Sequence, residues 1–191
     1  LAITAQSFSD IETAINQIHF DPNALDPIEV GNGNTASGYF ASAVGRQNVA
    51  SGLFSTAFGY VSTSGGFASS AFGVYDRAGG QFSSAFGYNN SASGCSSSAF
   101  GHSNSASGFR GSAVGNANSA SGYRSSAGGS LNTTAGNGGS AFGYRITASG
   151  NYSTTIGYSS STSADAAVAV GYSNSVVNPY ASAFGYGIQL K

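Results

Sequence analysis

Along most of this chain, small residues alternate with single apolar ones in words such as SSAFGHSNSASG (97–108), a pattern with the period of two that strands require. The word then recurs. Gly45, Gly59, Gly73, Gly87, Gly101, Gly115, Gly129, Gly143, Gly157, Gly171 and Gly185 are each fourteen residues apart, and Val30-Gly31 extends the register upstream. A second series, Gly38 to Gly150, runs in step with the first and gives way to Ala164 and Asn178. Two residues before the first glycine stands Ala in ten of eleven units, so the repeat holds by position rather than only by composition. Directly before that glycine stands Phe, Val or Ile, except at Gly128.

Fourteen residues are two heptads, but two glycines per unit would cost a helix about 2 kcal/mol per repeat, and no flanking charges support a coiled coil. Collagen needs glycine at every third position, which is absent. The remaining reading is a β-solenoid in which each half-unit is a strand of four or five residues followed by a tight, glycine-bearing turn. Coils stacked at about 4.8 Å would turn equivalent positions into ladders and give a rod about 50–60 Å long. Alternation sets Ser97, Ala99 and Gly101 on one face and Ser98 and Phe100 on the other. Whether the Phe ladder fills the roll or faces a partner is open at this level. A further ladder follows the glycine at Tyr60, Tyr88, Tyr144, Tyr158, Tyr172 and Tyr186. So much aromatic surface on so thin a coil predicts self-association.

Composition sharpens this picture. Only 7% of the 191 residues are charged and 29 are glycine, which alone would suggest disorder; thirteen Phe and eleven Tyr oppose that reading. Beyond residue 30, six cations face only Asp76 and Asp165, a mild positive excess well short of a nucleic-acid-binding stripe, so no nucleic acid is expected. Cys95 is the sole cysteine and reads as a small apolar substitute in a column with Tyr39, Leu53, Phe67 and Tyr123. No apolar run reaches the length of a membrane span. The chain begins at Leu1 and lacks Met, which suggests a piece of a longer or processed protein.

The units SSAFGYNNSASG (83–94), SSAFGHSNSASG (97–108) and GSAVGNANSASG (111–122) resemble the head repeats of trimeric autotransporter adhesins of the YadA type, over about residues 28–187. This resemblance implies an all-β, left-handed parallel β-roll with three chains side by side as a homotrimer. It also implies a bacterial cell-surface adhesin head, outside a Gram-negative cell and anchored to the outer membrane through another part, with no direct membrane contact. The implied role is attachment to extracellular-matrix proteins, host cells, other bacteria or surfaces, a trait linked with virulence. In some relatives such repeats bind collagen, which maps onto Ser98, Ala99, Phe100 and Gly101. Residues 188–191 would begin a connector or neck.

Residues 1–27 read as an N-terminal cap. Ser9-Asp10-Ile11-Glu12 has a capping-box pattern, residues 10–18 present an apolar helical face, and Pro22 and Pro27 end any helix. Such a cap would cover the open strand edge of the first coil. A calcium site from Asp21, Asp26 and Glu29 is the weaker alternative, because EF-hand spacing is lacking. His19 and His102 have no partner at metal-ligand spacing and are read as structural, so neither metal nor cofactor is expected. No GxSxG elbow or acid–base set accompanies the serines, which argues against an enzyme. Arg110 and Arg124 occupy equivalent positions in successive units and would form a short basic ladder, either a solvated surface or a contact to acidic matrix or glycans. Competing functions are the shaft of a phage tail fibre or extracellular filament and, more remotely, ice binding.

Overall fold

The computed structural model describes residues 27–191; the predicted cap helix, His19, Asp21 and Asp26 lie outside them. Among the described residues there are twenty-four strands and no helix. They alternate between five residues and two, from β1 (Ile28–Asn32) and β2 (Thr35–Ala36) to β23 (Ser182–Tyr186) and β24 (Gln189–Leu190). The long strands form one twelve-stranded parallel sheet and the short strands a second, each strand pairing with its equivalent one coil away. In β11 (Ser98–His102), Phe100 pairs with Phe86 below and Val114 above, a shift of fourteen each time. The chain is therefore a parallel β-solenoid of twelve coils. The equal half-units expected from the sequence are in fact unequal. The residues assigned to a connector, 188–191, carry the twelfth short strand, which pairs with Ser175–Val176.

Each coil turns four side chains inward. In the coil that contains β11 these are Ser97, Ala99, Asn104 and Ala106, all buried. Alanine dominates two of the four columns because the two sheets are too close for bulky side chains. In one coil Thr155 and Thr162 replace both alanines and hydrogen-bond each other at 2.7 Å, whereas Thr134 and Val176 depart singly, opposite Ala127 and Ala169. Ser64 replaces one alanine and hydrogen-bonds Ser69, a member of the adjoining serine column, at 2.6 Å.

The glycines do a different job from the one the repeat suggested. All but three of the turns, at Gly33, Gly138 and Gly187, are made by non-glycine residues in the left-handed conformation, among them Phe54, Asn89, Ser103, Arg110 and Arg124. Each such residue donates its N–H to a carbonyl fifteen positions earlier, as Phe54 does to Tyr39 at 2.9 Å, which offsets the cost of that conformation. Gly101 instead lies within β11 at φ +115°, and a Cβ there would stand 2.2 Å from the carbonyl oxygen of Gly115 in the next coil. The glycine columns are thus positions of close approach between stacked backbones.

Candidate binding surfaces and the amide ladder

One inward column carries chemistry that reading by alternation missed. Three residues past the first glycine of each coil stand Asn34, Asn48, Ser62, Asp76, Asn90, Asn104, Asn118, Asn132, Ile146, Ser160, Asn174 and Ile188. The Asn104 amide donates to the carbonyls of Phe100 and Gly115, at 2.8 Å each, and to Asn90 Oδ1 at 3.0 Å. Its own Oδ1 accepts the backbone N–H and the amide of Asn118, both at 3.0 Å. Every polar atom of the side chain is satisfied, and the amides bind coil to coil through the core. A fourteen-residue Asn column was visible in the sequence; that it points inward was not, because the two strands of a coil are unequal and alternation cannot be carried across the bend.

Asp76 interrupts this ladder. It is fully buried; Oδ1 accepts the backbone and side-chain N–H groups of Asn90 at 2.8 and 2.9 Å, while Oδ2 has no partner. Oδ2 occupies the place of an amide nitrogen, where neighbouring rungs donate to two carbonyls. Loss of hydration pushes the carboxyl above its ordinary range, against the opposing pull of the Asn90 hydrogen bonds.

The outer face of the long-strand sheet carries the Phe column. It lies outside the roll, which settles the open orientation. Phe58, Phe72, Phe86 and Phe100 stack with centroids 5.8, 5.0 and 5.1 Å apart. Val114 and Gly128 end the stack, and Phe142 leans over Gly128, where a Cβ would lie 2.7 Å from its ring. On either side of Phe100 in β11 are Ser98 and His102, so a stripe of hydroxyls runs beside the rings. Of the four repeat-motif residues, Phe100 and Gly101 are exposed, Ser98 is half-buried and Ala99 is sealed in the core, beyond the reach of any ligand.

The bend after the long strands holds the second aromatic ladder. Tyr144, Tyr158, Tyr172 and Tyr186 stack at 4.9 to 5.2 Å, and His102 continues the same column by stacking on Tyr88 at 5.1 Å. His102 Nδ1 lies 3.2 Å from the Asn116 amide. The opposite bend carries Arg110 and Arg124, whose guanidinium groups lie 5.3 and 5.1 Å from the centroids of Phe109 and Tyr123. Cys95, half-buried, shares the column of those two rings as expected. Glu29 turns inward in the first coil and accepts the Ala36 N–H at 2.6 Å.

The family model for the YadA head domain repeat (2 copies) matches residues 30–62, 78–104, 106–132 and 147–174, more than half of the chain. The chain belongs to the YadA head family. No curated protein matches it at a significant level. Within the YadA head family the domain is a structural adhesin module exposed outside the cell, and the parallel solenoid with its fourteen-residue coil is the form that this chain gives it.

Proposed function

We propose that the chain is the head of a trimeric surface adhesin, three rolls packed side by side into a rigid rod that attaches a Gram-negative bacterium to matrix proteins, cells or surfaces. The observation that supports this most is the outward column of Phe, Val and Ile along the long-strand sheet. An interior that accepts little beyond Ala, Ser, Thr and Asn cannot take in those rings, and so long an apolar strip needs cover from another chain. Three-fold packing buries it around a common axis, with the left-handed coil that the YadA resemblance implies. In that arrangement the serine-bearing face of the short strands and both bends point outward, available for repeated, multivalent contact along the rod.

Ser98, Phe100 and Gly101 then belong to the trimer interface rather than to a ligand contact. The predicted cap at residues 1–27 closes the first coil. Membrane anchoring is the work of another part of the protein, and the head itself is not catalytic. Sedimentation tests the assembly: the native chain runs as a trimer, while the double variant Phe86→Ser/Phe100→Ser runs as a folded monomer. A native chain that stays monomeric at micromolar concentration would remove the reading. Attachment of particles coated with the trimer to matrix-coated surfaces and cells distinguishes an adhesin from a shaft segment, which would bind none of them.

A further inference from the structure

We infer that the bend at Arg110 and Arg124 is a binding strip for an acidic polysaccharide, with sulfate or carboxylate groups held by the two guanidiniums. The inference rests on the adhesin reading and names a ligand class for it. Arg110 and Arg124 are exposed and sit one rung apart, about 4.8 Å along the rod. Both are fixed in the same left-handed turn conformation, at φ 54° and 53°. Each lies over its own ring, and the two rings are themselves stacked at 5.2 Å with only 4° between their planes. Two like charges are thus braced side by side when free side chains would spread apart.

Nothing near them neutralises that charge. The described acids are Glu29, Asp76 and Asp165. Asp76 is sealed in the core, Glu29 lies in the first coil, and Asp165 stands three rungs from Tyr123 in the same column, about 14 Å, beyond the screening length at physiological salt. The other described cations are scattered over different columns, so this is the one place where two share adjacent rungs.

The neighbouring rungs supply the rest of a saccharide site. Ser96 holds the equivalent turn position below Arg110, with its hydroxyl 3.8 Å from Cys95 Sγ. Above Arg124 the position is Gly138, and the Tyr152 ring leans into the space, 2.9 Å from where a Cβ would be. Tyr152 is 74% exposed and offers a free aromatic face next to the cations. An anion bridging two guanidiniums beside an aromatic platform suits a sugar ring bearing acid groups, whose C–H face packs on the ring. Two adjacent cations on a weakly charged rod are too few for a nucleic acid.

The probe is heparin, a sulfated polysaccharide, titrated onto the trimer by calorimetry, with double-stranded DNA and uncharged dextran in parallel arms. Native chain binds heparin, and Arg110→Gln/Arg124→Gln weakens binding about tenfold or more, as loss of two charge-assisted contacts requires. Tyr152→Ala weakens it at unchanged charge, whereas Arg145→Gln, on the other bend, leaves it unchanged. Heparin that fails to bind, an equal loss from Arg145→Gln, or equally tight DNA binding would overturn the strip. Sedimentation and particle attachment are measured on the same variants. A trimer that still attaches to matrix proteins without binding heparin would sink the strip and leave the adhesin reading standing.

Discussion

Replacing Asp76 with Asn should stabilise the roll, and the gain should depend on pH. At neutral pH the native rung presents a buried carboxyl oxygen without a partner where other rungs place an amide that donates to two carbonyls. An orphaned buried polar atom costs about 1–3 kcal/mol and each new hydrogen bond contributes about 0.5–1.5 kcal/mol, so the exchange is worth about 3 kcal/mol. At about 2–4 °C per kcal/mol for a chain of this length, Tm rises by about 6–12 °C.

The sign with pH follows from the raised pKa of the folded state. The stability linked to the protonated acid is fully present below the unfolded value near 3.9 and is lost as pH climbs through the higher folded value. When protonated, Asp76 can donate to one of the facing carbonyls and regain part of what Asn would supply. Among the described residues no other titratable group faces it: its chain neighbours Tyr75 and Arg77 are exposed, and Tyr60 and Tyr88 pack edge-on against the Tyr75 ring. The gap between native and Asp76→Asn proteins should therefore be small at pH 3.5 and widen to its full size by pH 7.5. Thermal unfolding followed by circular dichroism across that range measures it. Equal Tm values at pH 7.5, or a gap that stays constant with pH, would refute the account.

The converse change, Asn104→Asp, installs a second buried carboxyl and should lower Tm at pH 7.5 by several degrees more than at pH 3.5, measured in the same scans. Gly101→Ala forces a Cβ against the Gly115 carbonyl at positive φ and should cost about 3 kcal/mol or more by denaturant unfolding. Gly79→Ala, where a Cβ meets nothing within 4 Å, should be close to neutral. Thr155→Val should cost about 1–3 kcal/mol because it strands the Thr162 hydroxyl. The double change to Ala at 155 and 162 restores the pair found in most coils and should cost less, and a double-mutant cycle reads the coupling.

Coil length and parallel stacking follow from the unbroken spacing of fourteen, since a ladder tolerates no insertion. The role of the glycines does not follow from it. A glycine in a repeat reads as a turn, yet here the turns belong to residues such as Arg110 and Phe54, because the coil-to-coil hydrogen bond compensates for a left-handed side-chain-bearing residue. The place of the Phe column was equally hidden, since alternation gives two faces without saying which is inside. Only the closeness of the two sheets, which excludes everything larger than Ile, sends Phe86 and Phe100 outward. Of the candidate contact residues, Ala99 fails for the same reason, while Arg110 and Arg124 keep the adjacency that their spacing implied. The burial of Asp76 was hidden because a lone acid in a polar column has no sequence signature of burial.

The ladders of both sheets run along the rod, so their hydrogen bonds are loaded end-on when the two ends are pulled apart. Strands arranged that way open in sequence, like a zip, rather than sliding past one another in shear. Each coil that peels away frees fourteen residues, about 45 Å of slack, for the loss of a single rung of height. A head of this kind would lengthen under drag by yielding coils one after another, holding roughly constant tension on whatever it grips.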